Sequence, residues 1–340
     1  MTPLFAWQYP DWTRLSQYRN QQRIPQAVLL LGRSGLGKQR LARQFAESLL
    51  CATPQAESYL PCGTCKSCQL LQAGFHPDLF QLIPESPGKD ITIDQMRGLI
   101  EVLTLKPQYT QYRVIIIDAA DQMNLRAQNA FLKCLEEPAD RSVILMITEQ
   151  SAKLPATIVS RCQQFALTVP ARPQVMAWLA TQTQQKDLDL PYRLAQGAPL
   201  KALAYCSGNT LPLRQDCFNA WLELANHRKS PVQIAELWKI LPDMQLLDWL
   251  LSWVSDIIKC HYGVSAQQLG NPDFQQSLQV LAQRLHLTSL FNYYELLLDR
   301  YAVVDSTVNK QLLFEELLIH WQKLNLNSLP SGHISKKISL

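Results

Sequence analysis

Along the first half of the chain, short apolar runs alternate with stretches whose apolar residues recur every three or four positions. "AVLLLG" (27–32), "YRVIIIDAAD" (112–121) and "SVILMITEQ" (142–150) are apolar on both alternating faces and predict buried parallel strands. "LFQLIP" (79–84) predicts another strand. Between them, "KQRLARQFAESLLC" sets Leu41, Phe45 and Leu49 on one helical face. "TIDQMRGLIEVLTL" predicts a helix capped by Thr92, and "NLRAQNAFLKCLEEP" one stopped by Pro138. Strands alternating with helices predict an α/β layer with a parallel sheet.

After about residue 167 the strand pattern stops. "PARPQVMAWLATQTQQ" and "LPYRLAQGAPLKALAYCSG" predict a small helical unit. From 209 to 328 the chain carries one apolar stripe after another at the helical period, from "DCFNAWLELANH" to "KQLLFEELLIHWQKLNL". The expected division is therefore an α/β domain at 1–166, a small helical domain at 167–208, an all-helical domain at 209–328 and a loose tail at 329–340.

Composition adds bounds. The 340 residues are 47% hydrophobic and 18% charged, enough apolar material for two or three cores. A net charge of +4 is compatible with a nucleic-acid partner without requiring one. No apolar run approaches the ~18 residues of a membrane span. The N-terminus lacks a secretory pattern, so a soluble cytoplasmic protein is expected. In a reducing compartment the clustered thiols among the nine cysteines point to metal binding rather than disulfides.

The stretch "LGRSGLGKQR" (31–40) fits a phosphate-binding loop between strand and helix. Gly32, Gly35 and Gly37 let the backbone approach phosphates, and Lys38 reaches the outer ones. The following position needs Ser or Thr to ligate Mg²⁺, and it holds Gln39. Asp118 ends the strand where an ATPase keeps a metal-linked Asp, but the next residue is Ala119 where the water-polarising Glu belongs. Damage at two positions predicts no ATP hydrolysis at this site. It leaves ATP or ADP binding and a purely structural loop both open. Asp121 is expected to cap the next helix.

Cys51, Cys62, Cys65 and Cys68 fall within "CATPQAESYLPCGTCKSC", three of them as C-x-x-C-x-x-C. Four thiolates close a tetrahedral Zn²⁺ shell, and a closed shell is structural; free thiols or disulfides are the alternative. His76 is expected to cap a turn. Cys134, Cys162, Cys206, Cys217 and Cys260 are scattered and expected to be ordinary packing residues. Arg161 in "LPATIVSRCQQF" (154–165) reads on composition alone as a surface arginine.

Loop, cysteine insertion, "IDQMRGLIEVL", "IIIDAADQMNLRAQNAFLKCLEEP", "LPATIVSRCQQF" and "LAQGAPLKAL" occur in an order that resembles the delta-prime family of bacterial DNA polymerase III clamp loaders, which are AAA+ proteins. The specific motifs cover about residues 1–207, and the triplet Ser160–Arg161–Cys162 is the most telling. Motor subunits of such loaders (gamma/tau) keep Thr and Glu where this chain has Gln39 and Ala119, so the resemblance is to the non-motor stator. It implies an AAA+ module, a helical lid and a helical collar in a hetero-oligomeric ring. The partners would be gamma/tau, the delta subunit and, through the complex, primed DNA. It implies structural zinc on the four cysteines, an arginine finger at Arg161 completing a neighbour's ATP site, and a sensor-like place for Thr148. Two rivals are an active AAA+ motor and a zinc-containing DNA-binding module.

Overall fold

The three buried runs and "LFQL" form neighbouring strands of one parallel sheet, in a computed structural model that describes residues 3–86, 88–104, 106–109, 112–303 and 309–326. The expected tail, 329–340, lies outside the described residues. The chain groups into two units, Met1–Ala177 with Gly197–Lys201, and Trp178–Gln196 with Ala202–Leu340.

The first unit carries α1 (Tyr9–Asn20), β1 (Ala27–Leu31), α2 (Lys38–Leu50), α3 (Lys66–Ala73), β2 (Leu79–Leu82), α4 (Ile93–Thr104), β3 (Arg113–Ile117), α5 (Leu125–Glu136), β4 (Ser142–Thr148), α6 (Ala156–Val159) and β5 (Gln163–Ala166). The strand order is β2-β3-β4-β1-β5, all parallel, with Leu31 in register with both Thr148 and Ala166. Alternate residues feed two cores. Val28, Leu30, Val114, Ile116, Val143 and Leu145 pack with Trp12, Leu15, Leu41 and Phe45 on one face. Leu29, Ile115, Ile117, Ile144 and Met146 pack with Met96, Leu99 and Phe131 on the other. Each such large side chain, once buried, contributes about 1.5–3 kcal/mol, which is why continuous apolar runs settle as central strands.

Thr92 caps α4 as expected: its Oγ1 accepts from the Gln95 N–H (3.3 Å) while Gln95 Oε1 accepts from the Thr92 N–H (3.0 Å). Strand β5, which none of the predicted runs covers, adds an edge to the sheet. One expectation needs correction. Asp121 does not cap the next helix; Asn124 does, its Oδ1 accepting from the Ala127 N–H at 2.9 Å.

Helices α7 (Arg172–Gln182) and α9 (Pro199–Cys206) each cross the division between units, and α8 (Asp189–Leu194) belongs to the second. The second unit continues with α10 (Thr210–Ala225), α11 (Pro231–Trp238), α12 (Asp243–His261), α13 (Gln275–Arg284), α14 (Leu287–Val303) and α15 (Lys310–Leu326). Its centre is aromatic. Trp221 and Trp321 stack with ring centroids 3.9 Å apart, and the Trp321 indole N–H donates to the Trp221 carbonyl at 3.2 Å. Trp253 packs 5.4 Å from Trp221. Among the described residues no helix is long and apolar enough to cross a membrane.

Candidate functional site

The loop between β1 and α2 turns through Gly35 and Gly37, both with φ near +85° (84° and 86°), a conformation that glycine adopts freely. It is held from both sides. The Gly35 carbonyl accepts from the Leu200 N–H at 3.0 Å, and a Cβ at Gly35 would lie 2.6 Å from the Lys201 nitrogen. On the other side the Gln8 amide donates to the Gly37 carbonyl (2.7 Å) and the Trp7 indole to the Leu36 carbonyl (3.1 Å). The Arg40 guanidinium lies over the Phe5 ring, 3.7 Å from its centroid.

Lys38 opens α2 and is buried. Its ammonium folds back onto its own loop, donating to the carbonyls of Gly32 (2.6 Å) and Arg33 (2.9 Å) and to Glu149 Oε1 (3.4 Å). Burial lowers its pKa; Glu149, Asp121 and Asp118 pull the other way. Glu149, directly after β4, was not among the candidate residues read from the sequence. Gln39 donates its side-chain amide to Asp118 Oδ2. Asp118 Oδ1 accepts from the Ala119 N–H at 3.0 Å. Burial raises the Asp118 pKa, and the Gln39 hydrogen bond opposes that rise. Ala119 itself sits in the left-handed region, at φ 49°. Thr148 donates to Asp121 Oδ1 at 2.8 Å, so Asp121 ties the end of β4 to the turn after β3. The structure thus gathers Gly32, Gly35, Gly37, Lys38, Asp118 and Thr148 at the C-terminal ends of β1, β3 and β4.

The four cysteines come together from the end of α2, the following loop and the start of α3. Their sulfurs all lie within 4.8 Å of one another, so the set could hold a metal ion. Three of the separations are 3.6 Å (Cys51–Cys68), 3.8 Å (Cys62–Cys68) and 3.9 Å (Cys51–Cys65). A regular tetrahedron with Zn–S bonds of about 2.3 Å has edges of about 3.8 Å, so the donor set fits that ion. Backbone N–H groups of Cys62, Cys65 and Cys68 point at the sulfurs of Cys51, Cys62 and Cys65 at 3.3–3.4 Å. The Thr53 hydroxyl and the N–H groups of Cys65 and Thr64 pull the Cys62 thiol down to about 5. Burial pushes Cys68 up. His76 stands behind this cluster. Its Nδ1 accepts from the Asp78 N–H (3.1 Å), as the turn reading expected. Its Nε2 lies 2.9 Å from Ser67 Oγ, which donates to the Leu50 carbonyl at 2.6 Å.

Arg161 lies apart from the loop residues, in the turn between α6 and β5. Its side chain is 36% exposed. Nη1 donates to the Thr157 carbonyl at 2.9 Å and Nη2 to Glu136 Oε1 at 2.8 Å. Among the scattered cysteines, Cys162 and Cys217 are buried, while Cys134, Cys206 and Cys260 are half-buried.

With this geometry in view, similarity to known proteins is informative. The family described as "DNA polymerase III, delta subunit" matches residues 7–171, and its C-terminal counterpart matches residues 209–323. The chain is 32% identical over 329 residues to DNA polymerase III subunit delta' of Pseudomonas aeruginosa, covering 95% of this chain and 99% of that one. It is also 32% identical over 176 residues to subunit tau/gamma of Haemophilus influenzae, covering 52% of this chain and 25% of that one. A solved gamma-subunit-related protein of Thermotoga maritima is similar over 92% of this chain and 99% of its own, at 17% identity and a TM-score of 0.43.

Proposed function

The chain belongs to the delta' family of DNA polymerase III clamp-loader subunits, and from that premise we propose that it is the stator of the loader, contributing an arginine to a neighbour's ATP site without hydrolysing ATP at its own. The observation that carries the reading is the Gln39–Asp118 hydrogen bond. Metal-assisted phosphoryl transfer at such a loop needs a hydroxyl and a carboxylate converging as oxygen ligands on Mg²⁺. Gln39 instead directs an N–H donor at the carboxylate, and the donor occupies the space between them. These residues do not fit Mg²⁺. Ala119 has no group to polarise a water. Lys38 spends its donors on Gly32, Arg33 and Glu149, so a phosphate would have to compete with those acceptors. Residual ATP or ADP binding through Gly32, Gly35, Gly37 and Lys38 would carry no chemistry here.

Arg161 is suited to the other half of the task. It is a planar cation, partly exposed, and sits away from its own loop. Presented to the γ-phosphate of a tau/gamma neighbour, it would stabilise charge on the transferring phosphoryl group. Cys51, Cys62, Cys65 and Cys68 would hold Zn²⁺ with no open position, as a clasp that fixes the insertion between α2 and α3. The lid at 167–208 and the collar at 209–328 would complete a cytoplasmic hetero-oligomeric ring with tau/gamma and delta subunits, acting on the sliding clamp and primed DNA.

The test is ATP turnover by a loader reconstituted with this chain, clamp and primed DNA, comparing Arg161 with Arg161→Ala. Turnover should fall at least about tenfold with the ring intact by gel filtration, a lower bound for an arginine worth about 10³–10⁵ at the one site it completes. The chain alone should give no turnover above background. Unchanged turnover of the assembled loader would remove the finger role.

A further inference from the structure

Arg161 is a long, flexible cation on the surface, and such a side chain ordinarily samples many rotamers. Here it is held at two points. The Thr157 carbonyl takes one N–H from Nη1 at 2.9 Å, and Glu136 Oε1 takes one from Nη2 at 2.8 Å. Five N–H donors lie in the guanidinium plane. The two engaged ones leave the Nε–H and a second N–H on each terminal nitrogen for a further acceptor.

Glu136 is an odd residue to find where it is. It is the last residue of α5, where the helix dipole favours cations over anions. Its side chain is 50% exposed, so the pair with Arg161 adds little to fold stability. A half-exposed carboxylate at a helix C-terminus has a clear use if it aims the arginine.

We propose that Glu136 is the positioning residue for Arg161, fixing the guanidinium plane so that its remaining N–H groups face outward toward an anionic oxygen of a phosphate on a neighbouring subunit. This rests on the finger reading above and adds a second residue to it. Preorganisation of this kind acts on turnover rather than on substrate binding, because the arm is already placed when the transition state forms. Thr157 contributes through its backbone carbonyl, so side-chain substitution isolates Glu136.

The experiment uses the complete reconstituted loader with clamp and primed DNA, measuring kcat and KM for ATP with Glu136→Ala, Glu136→Gln and Arg161→Ala chains. Glu136→Ala should lower kcat about fivefold to tenfold, as expected for a misplaced catalytic group, with KM nearly unchanged. Glu136→Gln keeps an oxygen acceptor and should recover most of that loss. Thermal unfolding of the two Glu136 variants should match the parent chain. If Arg161→Ala lowers turnover and Glu136→Ala does not, Glu136 is a bystander while the finger reading stands. If Glu136→Gln is as poor as Glu136→Ala, orientation by a hydrogen bond is overturned. If Arg161→Ala is silent, both readings fall together.

Discussion

The phosphate loop and the cysteine cluster lie one at each end of α2, and they differ in what their polar atoms are left wanting. At the loop every key group already has a partner within the chain: Lys38 on Gly32, Arg33 and Glu149, and Gln39 on Asp118. At the cluster, four sulfurs crowd together with backbone N–H groups aimed at them. N–H groups converging on sulfur favour the thiolate, and thiolates packed side by side repel unless a cation lies among them. One site has closed on itself; the other could hold a metal ion. A motif is therefore better judged by its unmet needs than by its letters.

The comparison breaks most easily at the cluster. Cys68→Ser should release the metal, taking elemental analysis from about one Zn²⁺ per chain to none. Thermal unfolding should drop by about 10 °C, a loss of several kcal/mol in a unit of this size. Metal-free native protein, or an unchanged midpoint, would leave the cysteines as mere packing. At the loop, Gly35→Ala should cost about 2 kcal/mol, because it places a Cβ 2.6 Å from the Lys201 nitrogen at a φ of +84°. Denaturant unfolding would measure it; a neutral result would mean that the loop is not pinned against Gly197–Lys201.

The smallest effect concerns Asp118, whose pKa is raised by burial and held back by the Gln39 amide. Between its ordinary and its raised pKa the native state binds more protons than the unfolded chain. This group's contribution to stability therefore falls as pH rises through that window. Gln39→Leu removes the donor and should push the Asp118 titration further up, followed by the carboxyl carbon chemical shift in NMR. A titration that stays put, or moves down, would remove Gln39 from the account of the closed loop.

Much of this was legible in the sequence, for reasons that differ by region. Strands β1, β3 and β4 are buried on both faces, so each announces itself as an unbroken apolar run. Strand β5 does not: of Gln163, Gln164, Phe165 and Ala166 only Phe165 is buried, and an edge strand with one inward residue has no period to detect. The cysteine spacing was readable because ligands for one ion must lie near one another. The damage at Gln39 and Ala119 was readable as missing chemistry. What Gln39 does instead was not, because its partner Asp118 lies 79 residues away. Asp121 was misjudged because an aspartate before a helix resembles a cap, while Asn124 stood at the position with the right spacing. Glu149 and Gln8 belong to no motif, and their parts emerge only when the sheet brings β4 beside β1 and the N-terminal segment folds over the loop.

The stacked pair Trp221–Trp321 joins the first long helix of the second unit to its last, across 100 residues. A chain emerging from the ribosome one residue at a time exposes Trp221 long before its partner exists. Local helices can form as they appear, but that aromatic centre cannot close until α15 is out. The second unit therefore matures only after α15 is released, whereas every strand of the sheet, Ala27 through Ala166, has already been made. During synthesis the open tryptophan face is the surface a chaperone would find.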